Sequence, residues 1–255
     1  MHAPTRTRSL WLCIIAVLVL AAPAAAGKIV VANDEWTLSN TGFTAISDPG
    51  QFATNVVDWF TGGGPANLRA WSSNFGFTQS DLNTALTGAG HTWATGTAGT
   101  FDLATLQTYD AVFLGGSAPA AADYTDVLID YVEGGGNVYL AGGTGLGGAA
   151  AEAARWNPFL NHFGLSFVSS YNGVGGNIPI SSSHPIFASV DHLYQNNGNS
   201  ILDLALADPR NQILISQGSD GLYAIYDSSG IPEPGTSLLF LMGIGALSLG
   251  RRQSR

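Results

Sequence analysis

Two short apolar runs in the middle of the chain, YDAVFLGG at residues 109–116 and NVYLAGG at residues 137–143, set the expected fold class. Runs of this kind that end in glycines are typical of strands buried on both faces of a sheet. Between them, residues 121–133 carry apolar side chains at helical spacing, and three glycines follow. Strand, helix and strand form a βαβ unit, so the sequence predicts a parallel sheet with right-handed crossovers.

The rest of the chain continues this alternation of strands and helices. KIVVA at residues 28–32 predicts a first strand because it is short, apolar and β-branched. Further strands are predicted at residues 165–170, 212–216 and 222–226, the last two as a closing pair, and further helices at residues 51–60, 78–86 and 149–162. Residues 171–199 are predicted to be rich in loops. We therefore expect one α/β domain, a parallel sheet flanked by helices, over residues 27–230.

These runs carry a resemblance to a known family. YDAVFLGG, VEGGGNVYLAGGTG at residues 132–145 and SHPIF at residues 183–187 are similar to segments of the class I glutamine amidotransferase-like superfamily. The resemblance extends over about residues 28–226 and implies a flavodoxin-like α/β sandwich. In active members a strand-to-helix elbow holds a catalytic cysteine that is paired with a histidine and a carboxylate.

The elbow of this chain departs from that pattern. Residues 140–145 read LAGGTG, so Thr144 is the only hydroxyl there and no cysteine is present. No His-x-Glu arrangement follows downstream. Cysteine-dependent amidotransfer is therefore excluded by composition, and a threonine in its place would need a positioned base.

Five side chains are weak candidates for a ligand site. They are Asp34 and Glu35 after the first strand, Ser117 after a glycine pair, Thr144 at the elbow, and His184 before a proline. A carboxylate pair can bind calcium or act as acid and base. The structural alternatives are solvated carboxylates, a loop serine or helix cap, and a turn histidine. We predict no catalytic residue, metal or cofactor.

The beginning of the chain has the three parts of a secretory signal peptide. Arg6 and Arg8 precede an apolar core at residues 10–20, and alanines at positions 24–26 provide a cleavage site. We predict cleavage after Ala26; the alternative is an uncleaved anchor. Cys13, the only cysteine, would leave with the peptide, so the exported domain would have no disulfide.

The predicted domain is strongly acidic. Its four basic and seventeen acidic side chains leave a formal charge of −13 over residues 27–230. An acidic surface repels phosphate backbones, so nucleic acid is not expected as a partner. A solvated acidic exterior is the simplest interpretation of this charge.

The last 25 residues, 231–255, combine three features in order. The triplet Pro232-Glu233-Pro234 precedes an apolar run that predicts a membrane helix at about residues 236–250, and Arg251 and Arg252 follow. This arrangement resembles a PEP-CTERM sorting signal. The resemblance implies transient residence in the inner membrane, with the arginines as the membrane stop, and processing by an exosortase-type enzyme. The alternative is a permanent single-pass anchor.

Two functions remain open for the exported domain. In the first it is a non-catalytic binding or structural component of the cell surface or biofilm matrix, with extracellular polysaccharide as a possible partner. Trp36, Trp71 and Trp93 favour this hypothesis, although tryptophans also fill cores. In the second it is a divergent hydrolase of envelope polysaccharide or peptide that uses Asp34, Glu35, Ser117 or His184. Those side chains would then have to converge at the carboxyl ends of the strands.

Overall fold

Strand β1 lies near the middle of a nine-stranded sheet in the computed structural model, which describes residues 27–230. The strands are β1 (Lys28–Ala32), β2 (Asn67–Ala70), β3 (Thr92–Thr95), β4 (Ala111–Gly115), β5 (Asn137–Ala141), β6 (Leu165–Tyr171), β7 (Gly175–Pro179), β8 (His192–Asn196), β9 (Asn199–Asp203), β10 (Asn211–Gln217) and β11 (Asp220–Asp227). The helices are α1 (Asn40–Thr44), α2 (Pro49–Thr61), α3 (Phe75–Thr78), α4 (Ser80–Gly88), α5 (Leu103–Leu106), α6 (Tyr124–Glu133) and α7 (Ala149–His162). The mixed α/β class, with helices flanking the sheet, is confirmed.

One half of the sheet is parallel and the other half is antiparallel. The parallel strands follow the order β3-β2-β4-β5-β1. Strand β11 then pairs with β1 in the antiparallel sense, and β10, β9 and β6 complete this half. Strand β11 therefore joins the two halves. Strands β7 and β8 form a separate antiparallel pair.

The strand order corrects the flavodoxin-like expectation. In that order, 2-1-3-4-5, the first strand lies between the second and the third. Here β1 lies between β5 and β11, while β2 pairs with β3 and β4. The parallel half is thus the flavodoxin-like order with its first strand moved to the last position. The apolar run of β1 fits any interior position, and β11 supplies the partner that holds it in this one.

Helices cover both faces of the parallel half. Alternate residues of β1 point to opposite faces, so Val30 packs in the core with α2 and α4, whereas Val31 packs in the core with α6 and α7. The chain turns towards the α2 face after β1 and towards the α7 face after β5. Because β1 and β5 are adjacent, their carboxyl ends form a switch point, which is where open α/β sheets usually bind ligands.

The loop-rich expectation for residues 171–199 is only partly right. This segment contains β7 and β8, which pair in the antiparallel sense. Gly175 lies opposite Asn196 at one end of the pair, and Pro179 lies opposite His192 at the other. The pair is held on the domain by Asp48, whose Oδ2 accepts the backbone N–H of Asp191 at 2.8 Å. The structure has a strand or helix of the expected type near each of the other positions where the sequence predicts one, and β10 and β11 form the predicted closing pair.

Two predicted segments lie outside the described residues: the signal peptide at residues 1–26 and the sorting signal at residues 231–255, which includes the triplet, the apolar helix at about residues 236–250 and the two arginines. Within residues 27–230, none of the helices is long and apolar enough to span a membrane.

Candidate functional site

Asp34 follows β1 at the carboxyl edge of the sheet and is 1% exposed. Its Oδ1 accepts the backbone N–H of Trp36 at 2.8 Å, which caps the short 3-10 turn Glu35–Leu38. Its Oδ2 accepts the backbone N–H of Asn196 at the end of β8. Both carboxylate oxygens therefore bind backbone groups, and they fix the loop after β1 to the β7–β8 pair.

Glu35 is 4% exposed and reaches in a different direction. Asn74, in the loop after β2, donates its side-chain N–H to Glu35 Oε2. Beside this contact the Trp36 and Phe75 rings meet edge to face with their centroids 4.8 Å apart. Since β4 and β5 separate β1 from β2 in the sheet, this contact crosses the ends of both strands. The chain's own loops thus occupy part of the crevice where a ligand would be expected.

Thr144 lies in the loop after β5, and its hydroxyl has a carboxylate partner. Glu152, one turn inside α7, is fully buried. Its Oε1 accepts the Thr144 backbone N–H at 2.6 Å and also the Thr144 hydroxyl. Its Oε2 accepts the Tyr171 hydroxyl at 3.4 Å. The elbow therefore contains a hydroxyl bound to a buried carboxylate, which is the contact that a threonine nucleophile requires.

Asn199 fixes the elbow from the other side. Its side-chain oxygen accepts the Gly143 backbone N–H at 3.0 Å, and its side-chain N–H group binds the carbonyl oxygens of Ala149 and Val168. Gly143 has a φ of +66°, a left-handed conformation that glycine adopts without strain. Asn199 thereby joins the loop after β5 to the start of α7 and to β6.

The carboxyl groups at this edge have perturbed pKa values. Burial raises the pKa of Asp34 to about 6, against its two backbone hydrogen bonds, and the charge of Glu152 adds to the rise. Burial also raises the pKa of Glu35 to about 8, with further contributions from Asp34 and Glu152 and an opposing one from the Asn74 hydrogen bond. At neutral pH the pair therefore consists of an ionised Asp34 and a protonated Glu35. Perturbed groups of this kind cluster at functional sites, and also in structural networks.

Four of the five candidates thus follow parallel strands at the carboxyl edge of the sheet, and only His184 lies elsewhere. Ser117 follows β4 and has an exposed side chain. His184 caps the 3-10 turn Pro185–Phe187 and contacts the Trp59 ring, with centroids 5.2 Å apart. Lys28, the first residue of β1, donates a hydrogen bond from its Nζ to the carbonyl oxygen of Trp59. Because Trp59 lies beside the amino end of β1, its neighbour His184 lies at the opposite, amino edge of the sheet. Burial lowers the pKa of His184.

The three tryptophans that suggested carbohydrate stacking each pack against a phenylalanine. Trp71 is only 3% exposed and meets Phe101 edge to face at 5.1 Å. Trp93 meets Phe113 at 5.0 Å, and Trp36 packs against Phe75 as described above. Trp71 is therefore a core residue rather than a surface platform.

The sequence analysis did not find Glu152 or Asn74. A signal for Glu152 was present, because it lies at helical spacing with the apolar residues Ala149, Ala153 and Trp156 of α7. A carboxylate on the buried side of a helix requires a polar partner. Asn74 had no comparable signal, because its role depends on how two distant loops meet. Within residues 27–230, the structure contains no group of three His, Cys, Asp or Glu side chains that could hold a metal ion.

Comparison with known proteins identifies the end of the chain rather than its domain. Residues 230–255 match the family described as the PEP-CTERM protein-sorting motif. This motif implies an exported chain that an exosortase, a membrane enzyme, processes, with a location at the cell surface or outside the cell. No curated protein and no solved structure gives a significant match to the chain.

Proposed function

We propose that the α/β domain is a non-catalytic binding or structural module of the cell surface or exopolysaccharide matrix. It reaches this location after an exosortase-type enzyme has processed the chain at Pro232-Glu233-Pro234. The observation that supports this role of the domain is that the carboxylates at the carboxyl edge are already occupied by the protein's own backbone. Asp34 and Glu152 are buried there, and their carboxylates hold backbone N–H groups of the domain itself. Groups engaged in this way stabilise loops and present little surface to a substrate.

A binding experiment tests this proposal directly. The processed chain is purified from the cell surface, and its melting temperature is measured with and without calcium and a panel of extracellular polysaccharides. A ligand that binds only the folded state raises the melting temperature by mass action. A saturable rise with one polysaccharide supports a binding module and identifies its ligand. No rise across the panel favours a structural role, and turnover of any panel member contradicts the proposal.

A second candidate function rests on the contact between Thr144 and Glu152. In this hypothesis the domain is a hydrolase of envelope peptides or esters. Glu152 accepts the hydroxyl proton as Thr144 Oγ1 attacks a carbonyl carbon, and that proton passes to the departing amine or alcohol. Water then hydrolyses the resulting ester and regenerates the hydroxyl. The hydrogen bond between the two side chains supports this hypothesis, whereas the complete burial of Glu152 restricts access to it.

The hydrolase hypothesis has its own test. The wild-type chain and the variants Thr144→Val and Glu152→Gln are incubated with envelope fragments, and released amines and alcohols are measured. Loss of release in both variants, with both still folded at the assay temperature, would favour catalysis. Thr41→Val is a matched control, because Thr41 lies in α1, away from the elbow. If neither wild type nor variants release product, the non-catalytic proposal stands.

A further inference from the structure

The two ends of the described chain meet at one point. Ser228 donates its backbone N–H and its hydroxyl to the carbonyl oxygen of Gly27, at 3.3 and 2.9 Å. The adjacent residues Lys28 and Asp227 are partners in the β1–β11 ladder. The predicted signal peptide and the sorting motif therefore both leave the domain beside the amino end of β1.

A cluster of exposed leucines lies in the same region. Leu202, Leu204 and Leu206 are 44%, 54% and 88% exposed, and they are three of the five large apolar side chains that are exposed within residues 27–230. Single exposed leucines are ordinary on a protein surface, but a cluster indicates an interaction site. We call residues 204–207, with the sequence Leu-Ala-Leu-Ala, the leucine loop.

The leucine loop is fixed beside the chain ends. Asp227 donates its backbone N–H to the carbonyl oxygen of Arg210 at 2.9 Å, which joins the end of the loop segment to the last residue of β11. At the other end of the loop, Leu204 donates its backbone N–H to the carbonyl oxygen of Gly164 at 2.8 Å.

The charged residues around the leucine loop are engaged locally. Asp203 Oδ1 accepts the Ala205 backbone N–H at 2.8 Å, and Arg210 pairs with Asp208 at 2.7 Å. The polar groups are thus held within the segment, while the leucine side chains project from it.

The apolar run that is predicted after the sorting triplet would place a membrane close to this surface. Eight residues lie between Asp227 and Thr236, where the apolar run begins. Fully extended, this stretch reaches about 30 Å at most, which is less than the width of a domain of this size. While the apolar run is in the membrane, the domain cannot move far from the lipid surface, and the edge nearest that surface is the amino edge.

We propose that, in the unprocessed chain, the amino edge of the sheet rests on the outer surface of the lipid membrane and that the leucine loop inserts into it. This inference relies on the proposed export and membrane retention of the chain. Exposed apolar side chains bind at the lipid interface in proportion to the apolar area that they bury. The carboxyl edge, with Asp34, Glu35 and the loop after β5, then faces away from the membrane and towards extracellular molecules.

Site-specific fluorescence tests this orientation in the full chain. Cys13→Ala removes the only cysteine, and a single cysteine is then introduced by Leu206→Cys in the leucine loop or by Leu146→Cys at the carboxyl edge. The two positions are matched, because both are exposed leucines in loops. The chains are produced in cells without the processing enzyme, labelled with a polarity-sensitive fluorophore, and quenched with lipids that carry nitroxide groups. We expect several-fold stronger quenching at position 206 than at position 146.

Three results would overturn the proposal, and they are distinguishable. Equal quenching at both positions, or stronger quenching at position 146, refutes the orientation. If the fluorophore at position 206 reports an apolar environment but is not quenched by the nitroxide lipids, the leucine loop is covered by a protein partner instead of lipid. If the unprocessed chain is not found in the membrane fraction, the proposed export route itself is wrong.

Discussion

Asn74 donates a side-chain hydrogen bond to Glu35 across the carboxyl ends of β4 and β5. The contact joins the loop after β1 to the loop after β2, which are 39 positions apart in the chain. It holds a carboxyl group that burial keeps protonated at neutral pH, because burial raises the pKa of Glu35 to about 8. A structural contact of this kind makes the stability of the domain dependent on pH.

The first prediction is that Glu35 destabilises the domain at alkaline pH. Its pKa is 4.5 in the unfolded chain and about 8 in the folded one, so the folded state binds its proton more tightly. The resulting stabilisation is complete below pH 4.5 and is lost as the pH rises through 8. In urea titrations between pH 5 and 9 we expect the Glu35→Gln variant to show a flatter profile than wild type. At pH 9 we expect it to be more stable by on the order of 2 kcal/mol.

Asp34 and an exposed carboxylate provide the controls for this titration. The pKa of Asp34 is raised from 3.8 to about 6, so its contribution is lost as the pH rises through 6, before the pH reaches the folded-state pKa of Glu35. Asp58→Asn removes an exposed carboxylate from α2 and is expected to leave the profile unchanged. Identical profiles for wild type and Glu35→Gln would contradict the predicted pKa of Glu35.

The second prediction concerns the loop after β5. Glu152→Ala removes the acceptor for two hydrogen bonds from Thr144 and leaves a cavity, so we expect a loss of about 3 kcal/mol in unfolding free energy. Thr144→Val removes only the hydroxyl contact and is expected to cost about 1 kcal/mol. Urea denaturation measures both changes. A Glu152→Ala variant as stable as wild type would show that the buried carboxylate does not hold this loop.

The third prediction concerns the approach of the β8–β9 turn to β1. A Cβ atom at Gly198 would overlap the carbonyl oxygen of Asn33, which is backbone and cannot rotate away. We therefore expect Gly198→Ala to destabilise the domain by about 2–3 kcal/mol. Gly88→Ala is the matched control, because a Cβ there meets no atom within 4 Å, and we expect it to be neutral or slightly stabilising. Equal melting temperatures for the two variants would contradict the close approach.

The sequence predicted the elements whose local pattern reflects burial. The bounds of β1 and α7 agree with the expectation, and β4 and β5 are buried at every residue, as their apolar runs indicate. The position of β1 in the sheet could not be predicted in this way. An apolar run is equally suited to any interior position, and only the pairing with β11 near the end of the domain selects this one.

The β7–β8 pair and the carboxyl edge show where local patterns fail. Strand β7 reads Gly-Gly-Asn-Ile-Pro and buries only Ile178, so it has neither the alternation nor the β-branched content of a typical strand. Its pairing depends on contacts such as that between Asp48 and Asp191, 143 positions apart. Asp34, Glu35 and Thr144 could be assigned to the carboxyl edge from the sequence because they follow predicted strands. It could not show that their partners would be Asn196, Asn74 and Glu152.

The fourth prediction concerns the sorting motif. Proline disfavours helix at its own position and at the residue before it, so we expect the two prolines of Pro232-Glu233-Pro234, which lie outside the described residues, to leave this junction open to a protease. Replacing both prolines by alanine is therefore expected to reduce processing. The variant chain should stay in the membrane fraction, and its intact mass should be that of an uncleaved chain that ends at Arg255. Ser229→Ala, outside the triplet, is the control and should be processed normally. Intact-mass spectrometry of surface and membrane fractions measures the difference. If the wild-type chain at the cell surface still contains Arg255, the tail is a permanent anchor and processing at this motif is refuted.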